Sequence, residues 1–528
     1  MAQWNKNTQD YLNQERTLHE VYLRADEYGN ILNEGACSKS AFGENVAIPI
    51  TPKIQGDGVY GLDPREFQTF TFSNSGIATN GNSLLRVGAG TDANSYGVIR
   101  STNFLRYRPG QGAVCRFTTA FSENPVGFTQ RAGLFNQENA IQIGYAHTNG
   151  QFGVLRASGG KTDIHKFTFS TLANGDVTVT LNNTGFTAVT LNTGSLAGNI
   201  AQLVRGLEAQ ALFNALYIAE YDQTSITVLA TSLGAQTGTF NITSTATITF
   251  TNQTLQTGVA QTENWTFQED FNLDKLDGTG TSGVTIDPSN LNVYQINFRW
   301  LGAGEIRYAV ENPLNGDMFF FHHEHYSNRN TIPHLDNPSM KVGYVAANLG
   351  GATSGVVTCT GASFLGVIEG IVQPTRLPYS ATATRTDAMN TPGSLYHLLT
   401  IKNRVIYQNK INTRDLIPRR LTGSVNTVAD PAVIYLYYNA QFTNALRWTS
   451  QTVFNASLYA TQDSTGLFIL PAQSTPPIAS FHVSDGATID VDLVNIGIDI
   501  PPGGFITAAI SSSSNMTQAS ASFIYVED

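Results

Sequence analysis

The chain is 528 residues long, with 40 acidic against 30 basic residues, a formal net charge of −10, and only 13% charged residues beside 41% hydrophobic ones. That length accommodates roughly three or four domains of ordinary size. Its apolar content and low charge exclude a disordered chain. The densest basic cluster, Arg414, Arg419 and Arg420, is short and lacks interleaved aromatics, so no nucleic-acid partner is expected.

Cys37, Cys115 and Cys359 are widely separated and odd in number. They form no CxxC pair and no disulfide framework, and read as small buried hydrophobes. The opening MAQWNKNTQDYLNQER is polar, without the apolar stretch of a secretory signal. Apolar runs such as Phe364–Ile368 fall far short of the ~20 residues that span a bilayer. The expectation is a soluble chain made in a cytoplasm, without membrane insertion, that leaves the cell only as part of an assembly.

In chain order, residues 8–23 are the first helix candidate. Asn7 or Thr8 is placed to cap it, and Tyr11, Leu12, Leu18 and Tyr22 lie near one face. A helix this short needs a docking surface, either on its own chain or, as an attachment arm, on a neighbour. From about 41 the pattern is β. Phe117–Phe121, Ala140–Tyr145 and Phe152–Arg156 are strand-length runs bounded by turn residues, and Asn149-Gly150 predicts a hairpin.

Near 163 the style changes. Phe167–Ser170 and Asp176–Leu181 read as strands joined at Asn174-Gly175. Ser195 then opens a helix whose Ile200, Leu203, Val204 and Leu207 make one apolar stripe. Strands follow at Ser225–Ala230, Gly238–Ile242 and Ala246–Thr251. The sandwich style returns at Trp265, so the intervening stretch reads as a ββαββ module inserted in a loop.

Long strands resume over 293–326 and continue to about 415. In the last part Val433, Tyr435 and Tyr437 alternate with Ile434 and Leu436, and Ile489, Val491 and Leu493 with Asp490 and Asp492. Pro501-Pro502-Gly503-Gly504 marks a sharp loop. The fold expected is therefore mainly β: a multidomain β-sandwich of jelly-roll or lectin-like kind, with an inserted small α+β module and a short N-terminal helix. The divisions are 1–40 (helix and arm), 41–162 with 262–420 (discontinuous sandwich), 163–261 (insert) and 421–528 (second sandwich).

Three stretches, RYRPGQGAVCRFTTAF, the AGLF…GY…FGVLR run and FRWLGAGEIRYAVENP, together resemble a family of virion structural proteins. The family occurs in marine contractile-tailed phages, especially of cyanobacteria, with related modules in large algal DNA viruses. WNKNTQDYLNQERTLHEVY and YGLDPREFQTF are similar to the same family, and the likeness covers most of 1–420. The insert resembles a module common in phage tail proteins. Residues 421–528 are similar to fibre head domains only in composition.

The resemblance implies a non-enzymatic virion component: a tail, fibre or neck appendage subunit, with other virion proteins as partners and a homotrimer favoured by analogy with fibres. It supplies no catalytic residues. Two rivals are a carbohydrate-binding adhesin for a host-surface glycan and, further off, a polysaccharide depolymerase.

His322-His323-Glu324-His325 is the sharpest chemical feature. On a strand, His323 and His325 share one face. Two imidazoles begin a zinc or iron site but do not complete it. In a trimer, three copies on the axis supply six nitrogens, as in the HxH sites of some phage fibres, and His334 is a further candidate ligand. The plainer alternative is surface or interface histidines without metal.

Asp270, Asp274 and Asp277, followed by a Gly-rich run to Gly283, invite a Ca²⁺ site at Asp274 and Asp277. The spacing does not match an EF-hand, and a solvated turn is the plainer reading. Glu305, Arg307 and Glu311 share a strand face. Six residues span about 20 Å along a strand, whereas glycoside hydrolysis needs carboxylates within ~10 Å. Trp265, Trp300 and Trp448 are sugar-stacking candidates or ordinary core residues.

Overall fold

The computed structural model describes residues 23–25, 31–33 and 50–528, apart from 352–353, 371–376, 387–388, 428–429, 451–454 and 466–468. The helix expected over 8–23 lies outside the described residues up to 22, and Leu23 begins the first strand. Cys37 also lies outside them. The chain divides into two units, 1–50 and 51–528. In the first, Leu23–Ala25 pairs antiparallel with Ile31–Asn33.

The second unit is built almost wholly of antiparallel sheets, and its body is a sandwich. One sheet has seven strands in the order Thr262–Phe267, Phe152–Ser158, Ala140–Tyr145, Phe128–Phe135, Lys341–Asn348, Tyr96–Ser101 and Phe67–Phe72. The other runs Met318–Glu324, Ile306–Glu311, Asn292–Phe298, Ala113–Phe121, Val357–Gly361, Leu84–Ala89 and Ile77–Gly81. Ser363–Glu369 and Ile50–Asp57 branch from it.

Strand Ala113–Phe121 shows why these residues make such a layer. Cys115, Phe117, Thr119 and Phe121 are buried, and the residues between them are more exposed. The buried set meets Ile141, Ile143, Leu134 and Tyr344 of the facing sheet in one core. Asn149-Gly150 does close a hairpin: Tyr145 pairs with Phe152, and Gly150 takes the left-handed φ of +69° that a tight turn requires.

The insert leaves the body after Ser158 and returns at Thr262. One of its sheets has the order Tyr217–Tyr221, Ser225–Leu233, Thr162–Leu172, Ile248–Gln256. Gly175–Leu181 sits in a second small sheet with Thr184–Gly185, Val189–Leu191 and Asn241–Ser244. The strands joined at Asn174-Gly175 thus do not pair with each other; the turn carries the chain from one sheet to the next. Helix Leu196–Glu208 forms as its stripe predicts. Ser195 Oγ accepts the Gly198 N–H at 3.2 Å, and Ile200, Leu203, Val204 and Leu207 are buried.

The last region is a second sandwich. Its four-stranded sheet has the order Tyr379–Arg385, Met516–Glu527, Leu416–Thr427, Thr488–Asp492. Its six-stranded sheet has Thr449–Ser450, Ser457–Ala460, Tyr396–Asn403, Phe505–Ser512, Ala432–Tyr438 and Ala479–Val483. The stretch from Tyr379 to residue 420, assigned from sequence to the first sandwich, pairs here instead. Tyr379–Arg385 lies on Met516–Glu527 and Tyr396–Asn403 on Phe505–Ser512. Strand-forming residues announce a strand but not its partner, and these partners lie over a hundred positions away.

The three parts of the second unit are braced together. The core of the insert continues into the second sandwich through Leu446, Trp448, Leu458 and Ala460. Tyr221 donates its hydroxyl to the Leu446 carbonyl at 2.8 Å, and Glu220 accepts the Val405 N–H at 3.0 Å. Arg106 and Arg108 of the body both pair with the Asp528 carboxylate.

Candidate functional site

The two outermost strands of the branched sheet, Ile306–Glu311 and Met318–Glu324, form a hairpin that decides which side chains meet. Glu311 pairs with Met318, Val310 with Phe319 and Ala309 with Phe320. The register then shifts: Tyr308 pairs with His322, Arg307 with His323 and Ile306 with Glu324. Phe321 is the extra residue of a β-bulge. Without it, Arg307 would face His322. With it, Glu305 and Arg307 come level with His323 and His325 on the outward face.

The bulge also turns two successive residues inward. Phe321 and His322 are both buried. Phe321 packs on Phe271, with ring centroids 4.8 Å apart. His322 lies 5.6 Å from the Phe271 ring and 5.9 Å from Tyr308. Burial, reinforced by the neighbouring His323 and His325, pushes its pKa down to about 4, so it is a neutral core residue at physiological pH.

On the outer face one carboxylate gathers the cluster. Glu305 Oε2 accepts the Arg307 guanidinium, at 2.7 Å from Nε and 2.6 Å from the terminal nitrogen. Glu305 Oε1 faces His323 Nδ1 at 3.2 Å and His325 Nδ1 at 3.7 Å. Partial burial opposes ionisation of Glu305, but the Arg307 hydrogen bond and charge, with the two histidines, hold its pKa below the usual carboxylate value. Burial lowers the pKa of His323, with Arg307 and His325 acting the same way and Glu305 against them. The His323 side chain is 19% exposed and that of His325 53%.

His323 and His325 therefore share a face, as strand parity indicates, and Glu305 joins them. These three are the group of metal-type ligands that lies within 4.8 Å among the described residues. His334 does not join. It is fully buried, its Nδ1 lies 3.1 Å from the Gly302 carbonyl, and its ring packs 5.2 Å from Tyr326. Burial pushes its pKa down to about 4. The residue that lies beside the two histidines is thus Glu305, a glycosidase candidate by sequence, and not His334. The bulge leaves no mark in the sequence, because Phe321 looks like any other member of an apolar run.

The acidic loop is held by its own backbone. Asp274 is buried and accepts the N–H groups of Leu276 at 2.9 Å and Ser282 at 2.7 Å. Asp277 accepts the N–H and hydroxyl of Thr279. The two carboxylates thus serve separate turns. Beside Glu305, a hollow of about 20 Å³ is lined by Arg299, Arg307 and Glu369, room for a single water. A larger polar cleft of about 340 Å³ lies where the insert meets the second sandwich, with Lys166, Glu220, Asp222, Gln253, Arg404 and Gln408 on its walls.

Trp448 is a core residue, 4% exposed. Trp265 and Trp300 are half-buried, their indole N–H groups donating to Glu263 and to the Leu335 carbonyl, each at 3.0 Å. Of the basic cluster, Arg414 lies 3.9 Å from the Glu527 carboxylate and Arg420 3.3 Å from Asp490. Cys115 and Cys359 are buried free thiols.

No family model and no curated protein sequence matches the chain. Among solved structures, lectin II from Ulex europaeus aligns at 9% identity over 60% of this chain and 99% of its own, with a TM-score of 0.21. An endo-β-1,4-glucuronan lyase from the fungus Trichoderma reesei aligns at 10% identity over 61% and 96%, with a TM-score of 0.20. A lectin from Bauhinia forficata in complex with GalNAc gives 9% identity, 61% and 98% coverage, and a TM-score of 0.20. These likenesses are too distant to bear on ligand or activity, and the sandwich architecture rests on the strand pairing above.

Proposed function

We propose that this chain is a non-enzymatic structural subunit of a tailed-phage particle, in a tail, fibre or neck appendage, that works by bearing load between other virion proteins. The observation that carries this reading is the bracing of the second unit. An insert and a terminal sandwich that served only as independent binding heads would hang on linkers, and relative motion is the default for linked domains. Here the two share one apolar core through Trp448 and Leu446. Asp528, which follows the last strand of the second sandwich, is clamped to the body by Arg106 and Arg108. Such bracing suits a part that transmits force without bending. The resemblance of RYRPGQGAVCRFTTAF and FRWLGAGEIRYAVENP to virion structural proteins supports the same assignment.

Antibodies raised against the folded chain test it. They should decorate purified particles at a fixed location in electron micrographs. Undecorated particles, with all of the antigen in the soluble fraction of the infected cell, would overturn the proposal.

A second reading, a glycan-binding adhesin, is favoured by the polar cleft between insert and terminal sandwich. It predicts glycan capture that Lys166→Ala and Gln253→Ala both abolish. Capture that survives both changes would remove the cleft from consideration.

A further inference from the structure

The Glu305, His323 and His325 cluster carries an inference beyond the structural role. We infer that these three side chains form a divalent transition-metal site completed within a single chain, holding Zn²⁺ or a metal of similar softness through Glu305 Oε1, His323 Nδ1 and His325 Nδ1.

The ligand spacing fits the ion. Zinc bonds imidazole nitrogen at about 2.0–2.1 Å and carboxylate oxygen at about 2.0–2.2 Å, so neighbouring ligand atoms of a tetrahedron stand about 3.4 Å apart. Glu305 Oε1 stands 3.2 Å and 3.7 Å from the two imidazole nitrogens, on either side of that edge length. The donor set of two imidazoles and a carboxylate suits zinc and rules in none of the hard cations that want oxygen alone. Glu305 is preset for binding through one oxygen, because Arg307 holds Oε2 with a hydrogen bond from Nε and an ion pair from its terminal nitrogen. Three protein ligands leave the fourth position to water or another small donor.

The site closes within one chain for a geometric reason. A site shared by three copies on an axis needs ligand atoms that project outward. The Nδ1 atoms of both histidines instead face Glu305 of the same chain, and His323 Nε2 is enclosed. The location supplies a role. Ile306 and Glu324 are the last paired residues of the hairpin, and Met318–Glu324 is the outermost strand of its sheet path. A metal on Glu305 and His325 would clip the two strands just past the point where the ladder stops, and so keep an edge strand from fraying.

Titration of the purified full chain with Co²⁺ and Zn²⁺ tests this. Co²⁺ should bind one per chain with the intense visible absorption of tetrahedral coordination, and Zn²⁺ should displace it. Zn²⁺ should raise the melting temperature, and EDTA should reverse the rise. His323→Ala, His325→Ala and Glu305→Gln should each weaken binding by about a hundredfold or more, since even outer-shell changes cost about 10–100-fold. The exposed His482→Ala should leave it unchanged. All three changes lie on an outer face, and circular dichroism checks that the variants stay folded. Absence of Co²⁺ binding by the unmodified chain would overturn the site outright. One metal per three chains would overturn its closure within a chain. Binding that survives all three substitutions would overturn the ligand assignment.

Discussion

Trp448→Ala probes the bracing most sharply. Trp448 is 4% exposed in the core that the insert shares with the terminal sandwich. Its ring packs edge-on against Phe505 at 6.2 Å, and Lys402 Nζ lies 5.5 Å above it. Removing a buried Trp side chain costs about 3–5 kcal/mol, and the lost cation–π contact adds about 0.5–1 kcal/mol. A loss of about 3 kcal/mol raises the population of locally opened states by more than about a hundredfold.

Native-state hydrogen exchange reads this segment by segment. If the shared core locks the two parts, exchange should accelerate by that factor in both Leu196–Glu208 and Ser457–Ala460. Strands Phe128–Phe135 and Lys341–Asn348, deep in the separate body core, should keep their protection. Acceleration confined to residues beside position 448, with the insert helix unchanged, would refute the idea that the core couples insert to sandwich.

Other perturbations have signs that follow from burial. His397 is enclosed, and burial, reinforced by Arg385, pushes its pKa down to about 3. The unfolded state therefore binds its proton first, so stability should fall as pH drops below about 6.5, with an upper bound of about 5 kcal/mol by pH 3. His397→Gln should flatten that part of the pH–stability curve in chemical denaturation; an unchanged slope would refute the assignment. Asp415 has the opposite sign. Burial, with Asp499 adding to it, raises its pKa to about 7. Its contribution is full below about pH 4 and is lost as pH rises towards 7, by at most about 4 kcal/mol. Asp415→Asn should narrow the stability difference between the two pH values, and a wider one would contradict this. Gly97→Ala should destabilise by about 1–3 kcal/mol or more, because a Cβ there would overlap the Ile77 carbonyl oxygen. A melting temperature equal to that of the unmodified protein would show that the two strands separate freely.

Much of the fold was legible because its signals are local. The alternation along Ala113–Phe121, the turn at Asn149-Gly150, and the stripe Ile200, Leu203, Val204 and Leu207 behind Ser195 each depend on neighbours within a few residues. Partner choice does not. Tyr379–Arg385 and Tyr396–Asn403 look the same whichever sandwich they join, and only the long-range pairing with Met516–Glu527 and Phe505–Ser512 assigns them. The candidate site was half legible for the same reason. Parity placed His323 and His325 on one face, but bringing Glu305 to them took a one-residue shift at Phe321 that no alternation pattern records. His334, near in sequence, is spent on the Gly302 carbonyl instead.

Counting the chain in purified particles is the most direct test of its assignment as a load-bearing virion subunit. Isotope-labelled peptides from Ala113–Phe121 and Ile306–Glu311, measured against peptides of the major shell protein, give copies per particle. A structural subunit returns the same small multiple of the appendage symmetry in every preparation, and stays with the particles through a density gradient. A ratio that drifts towards zero as purification proceeds would contradict it.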